Sequence, residues 1–331
     1  MTVLLNYHAA SQERGSYRTG GRGGMDEQQR LAAKRSNLRL RARLIQAIRR
    51  FFIEREYLEV ETPHLISSPA PELNIDAIKA GGAFLHTSPE LCMKRLVSAG
   101  YSRIFQICKC FRDGERGGHH LIEFTLLEWY RTGADYTGLM DECEEMLLSV
   151  SEDLGLGAKI HFQGHEIDLR RPWARMSVKE AYERYAAMPM ERALASKRFD
   201  EIMVQEIEPH LGIPKPTFLY DYPAELAALA RLKENDPSLA ERFEIYVGGL
   251  ELANAFSELT DVSEQESRFE RDRLKRKQLG KTAYPMPESF LKALAHMPDS
   301  VGIAFGLDRL VMVFADADKI DEVISFLPEE L

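Results

Sequence analysis

The sequence predicts an α+β fold, an antiparallel β-sheet flanked by helices. Short strand-like runs come in neighbouring pairs and are interrupted by helix-periodic segments, the pattern of a sheet with helices packed on it. Gly248-Gly249 sits between two apolar runs, a two-residue hairpin signal. At 331 residues and 44% hydrophobic content, the chain can fill a sizeable core.

Residues 1–36 open the chain. Through Gly24 they are rich in Gly, Ser and Arg without apolar periodicity, which predicts a disordered tail. A basic nucleic-acid arm is the alternative reading, disfavoured by how few cations the segment carries, and Met25, opening a helix-prone stretch, offers a second start. Residues 37–331 read as one domain. Leu38, Leu40, Leu44, Ile45, Ile48, Phe51 and Phe52 recur at helical spacing. The run Tyr57 to Pro63 follows as a short strand stopped by proline. Further strands are expected over 83–87, 104–112 and 123–131, a helix over 136–152, and another from Ser177, where Ser177-Val178-Lys179-Glu180 forms a capping box. Strands return over 217–221, 241–247 and 250–256, then a charged helix over 263–279. An apolar strand over 302–306 runs into a helix from Leu307.

The net charge of -9 is dispersed, against a surface that grips polyanions broadly, since such binding needs clustered cations. Cys92, Cys108, Cys110 and Cys143 lie in apolar segments without zinc or disulfide spacings, so packing in a reduced, cytoplasmic protein is expected. No apolar run approaches the ~18 residues needed to span a bilayer, and the first ten residues lack a signal-peptide core.

Three segments carry chemistry. Over 104–131, two strands flank a polar loop, and strand alternation puts Phe124, Leu126, Glu128 and Tyr130 on one face. An aromatic, a carboxylate and a phenol together suit a ligand wall better than a core, and Arg112 at the end of the first strand can reach an anion. In the Gly248-Gly249 hairpin, pairing sets Val247 opposite Leu250, Tyr246 opposite Glu251 and Glu244 opposite Ala253. Glu244 and Glu251 then share a face, close enough to hold one cation. In the third segment, Gly302 and Gly306 allow close backbone approach and Arg309 opens a helix.

Together these segments resemble the signature motifs of class II aminoacyl-tRNA synthetases, in order, over 37–331. Residues 51–63 look like motif 1, 112–130 like motif 2 and 302–309 like motif 3. Thr87-Ser88-Pro89-Glu90, Glu-Phe-Thr-Leu-Leu-Glu-Trp-Tyr over 123–130, and the run from Gly249 to Asp261 are similar to the lysine enzymes. With too little chain before motif 1 for an anticodon-binding barrel, the chain resembles the truncated paralogues that attach (R)-β-lysine to elongation factor P. Ala304, where many lysine enzymes have glycine, points the same way.

The resemblance implies activation of lysine or (R)-β-lysine by ATP with Mg²⁺, by a homodimer, with elongation factor P as protein substrate and tRNA a poor acceptor. It implies that Arg112 and Arg309 are catalytic, and that Glu244 and Glu251 bind metal. Ser88, Pro89, Glu90, Glu128, Tyr130, Glu258 and Ala304 would bind the amino acid. Arg112, Asp113, Gly114, Glu115, His120, Leu121, Phe124, Glu251, Leu252, Gly306 and Arg309 would bind ATP, with Phe124 stacking adenine. Two positions depart from motif 2: Gly114 stands where glutamate is usual, and Leu121 replaces a polar adenine contact. If strands alternate strictly from Glu251, Glu258 points away, so its role requires a bulge or strand end between Ala253 and Ser257. The rival readings are a ligase acting on tRNA or another amine, and a catalytically dead regulator.

Overall fold

A computed structural model describes residues 26–331, so the tail expected over 1–25 lies outside the described residues. Residues 27–36, grouped with the tail but helix-prone from Met25, are helical apart from a turn at Lys34. Asp26 caps α1 (Glu27–Ala33) in a capping box with Gln29, and α2 (Arg35–Glu54) begins before residue 37. The boundary at 36 is therefore corrected: local capping chemistry extends the helical structure N-terminally.

The remaining elements follow in chain order. Strands β1 (Leu58–Glu59), β2 (Leu65–Ile66), β3 (Lys79–Ala80) and β4 (Ala83–Leu85) precede α3 (Glu90–Ser98), β5 (Arg103–Phe111), β6 (Glu123–Thr132) and α4 (Tyr136–Asp153). A peripheral section holds β7 (Lys159–Phe162), β8 (His165–Asp168), β9 (Ala174–Ser177), α5 (Val178–Tyr185), α6 (Met190–Ala195) and α7 (Phe199–Ile202). The chain then returns through β10 (Thr217–Pro223), β11 (Leu239–Val247), β12 (Leu250–Ser257), α8 (Val262–Gln278), α9 (Glu288–Leu294), β13 (Ser300–Gly306) and α10 (Leu307–Ala315).

One 8-stranded sheet, in the order β1-β5-β6-β13-β12-β11-β10-β9, organises the fold. From β5 through β10 every neighbouring pair is antiparallel, as expected, but both edge pairs, β1 with β5 and β9 with β10, are parallel. The run over 57–63 supplies only two strand residues, Leu58 and Glu59, with Val60 N still donating to Phe105 O at 2.9 Å beyond them.

Strand alternation divides β6 between two layers. Leu127 and Trp129 face the core shared with α2, α4 and α10, where Phe52 stacks on Phe105 at 4.9 Å. Phe124, Leu126, Glu128 and Tyr130 face the opposite side, where α3, α8 and α9 pack around Met93, Phe269 and Phe290. The apolar stripe of α2, Leu44, Ala47, Ile48, Phe51 and Phe52, is buried within the chain's own core. That face accordingly gives no reason to require a second copy. Exposed apolar side chains do flank Pro63, however: Ile53, Leu58 and Leu65 are each at least half exposed, beside the unpaired edge of β1. An exposed apolar edge strand invites pairing, and the expected homodimer would use it. Sedimentation at micromolar concentration should show a dimer that Leu58→Asp shifts towards monomer. A monomer in the unaltered chain contradicts this.

Candidate active site

The face of the sheet left uncovered between α3 and α8 opens into a cavity of about 410 Å³. At one end stand Glu72, Glu90, Glu128, Tyr130 and Glu258, and at the other Arg112, Phe124, Glu251 and Arg309. One end therefore suits ammonium groups and the other suits a nucleotide and its phosphates.

The acidic end is built from three elements. Glu90 opens α3, and the Ser88 hydroxyl accepts from its backbone N–H at 3.4 Å. Glu128 and Tyr130 alternate on β6, and the Tyr130 hydroxyl donates to Glu128 Oε1 at 2.7 Å. The other oxygen, Glu128 Oε2, is buried and has no hydrogen-bond partner among the described residues. Burial, with Glu90 nearby, pushes the Glu128 carboxyl well above its usual range. A buried unsatisfied acceptor costs roughly 1–3 kcal/mol, and a cation placed there relieves it.

Glu258 reaches this end through an irregularity in β12. Tyr246 pairs with Glu251 but Ile245 pairs with Ala253, so Leu252 is an extra residue in the strand. The bulge moves Asn254, Phe256 and Glu258 to the cavity side with Glu251. It falls one residue before the stretch expected for it. It also corrects the hairpin register, since Glu244 lies opposite Asn254 rather than Ala253. The turn itself is as expected, with Gly248 and Gly249 both at positive φ, 57° and 79°.

Gly302 on β13 has no room for a side chain. A Cβ there would lie 2.3 Å from both Glu258 Oε1 and a Tyr130 ring carbon. Glycine thus lets the carboxylate and the phenol meet across the strand. Ala304 lines the same wall, whereas Pro89 occupies the cap position of α3 and is not among the cavity-lining residues.

Sequence reasoning missed Lys94, which lies one turn along α3 from Glu90. Its ammonium is 2.6 Å from Glu90 Oε1 and 2.6 Å from Glu258 Oε2, with all three groups largely buried. Burial alone would depress the Lys94 pKa, but the two carboxylates raise it above the usual lysine range. Glu258 is pushed up to about 7 by burial, with Lys94 opposing and Glu90 adding to the rise. Glu72 was also missed. Burial and Glu90 bring it to about 7 as well.

At the basic end, Arg112 leaves β5 and its guanidinium lies 4.9 Å from the Phe124 ring centroid. Gly114, at φ 76°, turns the chain so that Glu115 comes back to 3.8 Å from Arg112. The carboxylate absent at Gly114 is thereby supplied one residue later. Asp113 lines the cavity, and its backbone N–H donates to Asp76 O at 2.7 Å. Leu121 is buried at the junction of cavity and core. Leu252 and Gly306 complete the lining near Arg309.

Arg309 donates to the Glu251 carbonyl at 2.7 Å and hydrogen-bonds His120 Nε2. Burial, then Arg309 and Arg112, push His120 down to about 3, so its imidazole is neutral at pH 7. Nε2 therefore accepts from Arg309 and Nδ1 carries the remaining proton. Asp308, also missed, anchors this corner from behind. It accepts from Thr125 N at 2.7 Å and pairs with Arg41 at 2.5 Å.

Glu244 and Glu251 share a sheet face, as expected, but are engaged differently. Arg242 donates to Glu244 Oε1 at 2.7 Å, while Tyr222 and Tyr246 donate to Oε2 at 2.6 and 2.8 Å. Against the push of burial, these partners hold the Glu244 carboxyl below its usual range. Glu251 lines the cavity, 3.7 Å from Arg309, and burial with Glu244 behind it raises its pKa. Glu251 is thus a carboxylate that lacks a full counter-charge, the setting a cation fits. Ligation by Glu244 would require its carboxylate to release Arg242.

A strand-bound arginine beside an aromatic, a bulged acidic strand and a Gly–Arg helix start converge on one cavity. A family model described as tRNA synthetases class II (D, K and N) matches residues 28–330. The chain belongs to this family. Within it, the chain is 39% identical over 312 residues to the "Elongation factor P--(R)-beta-lysine ligase" of Salmonella gallinarum, covering 88% of this chain and 94% of that protein. It is likewise 39% identical over 320 residues to the protein of the same name from Pectobacterium carotovorum, covering 90% and 97%. Both matches span nearly the whole of each relative. No helix among the described residues is long and apolar enough to cross a membrane.

Proposed function

We propose that the chain activates lysine or (R)-β-lysine with ATP and transfers it to a lysine side chain of elongation factor P. The observation that carries this reading is the buried, unpartnered Glu128 Oε2 beside Glu90, in the same cavity as Arg112 and Phe124. An acidic or apolar substrate side chain would leave that acceptor unsatisfied, and a neutral donor would leave the neighbouring carboxylates without a counter-charge, so the acidic end favours a diamine. The relatives' names, from proteins of nearly the same length, agree with it.

In the first step a substrate carboxylate oxygen attacks the α-phosphorus of ATP, the bond to the β-phosphate oxygen breaks, and pyrophosphate leaves. Two anions must meet, and Arg112 offsets their repulsion while Phe124 provides the adenine platform. Arg309, oriented by neutral His120, would hold the outer phosphates. Glu251, with Glu244 behind it, would hold Mg²⁺, which when bound neutralises phosphate charge. In the second step the acceptor amine attacks the carbonyl carbon, its bond to the phosphate oxygen breaks, AMP leaves and the amine gives up a proton.

Lysine- or β-lysine-dependent exchange of pyrophosphate into ATP tests the first step, and its absence with both amino acids would favour a non-catalytic regulator. The acidic end also predicts a pH dependence. Burial and Glu90 push Glu72 up to about 7, so below that value it is neutral and attracts no ammonium. KM for the amino acid should fall about tenfold between roughly pH 6 and pH 8. A flat KM profile in the exchange assay contradicts the assignment.

A further inference from the structure

Away from the cavity lining, three metal-binding side chains close on one another between the large sheet and the small sheet formed by β2, β4 and β3. Cys108 and Cys110 are two apart on β5 and so project from one face. His86 follows β4, where its N–H donates to His64 O at 2.8 Å and its carbonyl accepts from Phe111 N at 3.0 Å. These bonds hold it against the end of β5. Cys108 Sγ lies 3.9 Å from Cys110 Sγ, which lies 3.9 Å from His86 Nε2. All three donors fall within 4.8 Å of one another, and their residues are 8%, 0% and 1% exposed.

A tetrahedral ion with bonds of about 2.3 Å to sulfur and about 2.0 Å to nitrogen separates its ligand atoms by roughly 3.5–3.8 Å. The two 3.9 Å spacings are within a few tenths of an ångström of that, and Cys108 Sγ and His86 Nε2 lie within 4.8 Å of each other. Packing accounts for two thiols in contact and the Lys109 carbonyl accounts for one His86 nitrogen, but the three donors gathered in a dry site are also the set a thiophilic ion takes. A disulfide fits less well: residues two apart on an extended strand have Cα atoms roughly 6.6–6.8 Å apart, at the outer limit for that bond.

We propose that His86, Cys108 and Cys110 form a binding site for a thiophilic closed-shell cation such as Zn²⁺. Coordination releases the two thiol protons. His86 Nε2, now donating to Lys109 O at 2.6 Å, becomes a ligand as its proton shifts to Nδ1. The two thiolates and the dication balance in charge. Cys110 pairs with Phe124 and Cys108 with Leu126 across the ladder. A bound ion would therefore tie the strand leading to Arg112 to the segment leading to Glu90.

The test uses the full-length chain, reduced, stripped with a chelator and kept in excess Mg²⁺ to occupy acidic sites. Titration with Zn²⁺ against a chromophoric chelator should show one equivalent bound and a raised melting temperature. Co²⁺ should give a thiolate-to-metal charge-transfer band. The near-isosteric double variant Cys108→Ser/Cys110→Ser should lose both signals, and His86→Ala should weaken binding at least tenfold. In the unaltered chain, Zn²⁺ should also protect two of the four free cysteines from a thiol reagent, a readout independent of how the variants fold. No charge-transfer band, or cysteine reactivity unchanged by Zn²⁺, would overturn the proposal.

Discussion

Arg112→Ala should lower amino-acid-dependent pyrophosphate exchange by at least about 10²–10³-fold, the usual loss when a preorganised charge is removed from a reacting centre. Its melting temperature should change little. The guanidinium is partly exposed, and its protein contacts are a 3.4 Å bond to Thr87 O, the Phe124 face and a loose 3.8 Å approach to Glu115. None of these is a core interaction, so the folded state does not depend on them. Arg112→Lys should recover only part of the rate, because an ammonium cannot bridge two oxyanions with a planar fork. Near-normal exchange in the alanine variant would remove Arg112 from the proposed mechanism.

Lys94→Met should destabilise the protein by about 3–5 kcal/mol at neutral pH, since it leaves Glu90 and Glu258 without their shared buried cation. The sign of the pH dependence follows from the shifts. In the unaltered protein the folded pKa of Lys94 is raised above the unfolded value. Its contribution is therefore complete below the ordinary lysine pKa and lost only as pH rises through the higher folded value, well above neutrality. Without Lys94, the burial that pushes Glu258 up is no longer opposed, so that carboxyl binds its proton more tightly in the folded state than in the unfolded one. The variant's deficit should therefore shrink as pH falls from about 7 towards about 5. Denaturant unfolding at the two pH values measures this, and an equal or larger deficit at the lower pH would contradict the ion-triad account.

Much of the fold was legible because its signals are local. The capping box at Ser177 is present as read, the Gly248-Gly249 turn has both residues at positive φ, and the alternating face of β6 lines the cavity. What escaped depends on partners distant in sequence. Lys94 reads as an ordinary helix lysine until Glu258, just past the end of β12, comes within 2.6 Å. The bulge that Glu258 requires is expected, but its place at Leu252, one residue early, follows from the pairing of β11 with β12, which composition does not encode. Close approach at Gly302 is legible in the sequence, but not that Glu258 and Tyr130 are the groups that meet over it. Glu244 looked like a free ligand because Arg242, two residues away on its own strand, carried no mark of its role in holding that carboxylate. The parallel edge strands lay beyond hairpin logic, which speaks only for neighbours in sequence.

The identity of the acceptor tests the central claim most directly. Purified chain, ATP and Mg²⁺ would be incubated with radiolabelled lysine or (R)-β-lysine, offering purified elongation factor P and purified tRNA in parallel. The proposed function predicts label on elongation factor P, removed by changing the acceptor lysine, with little or none on tRNA. Efficient charging of tRNA with elongation factor P unlabelled would contradict it.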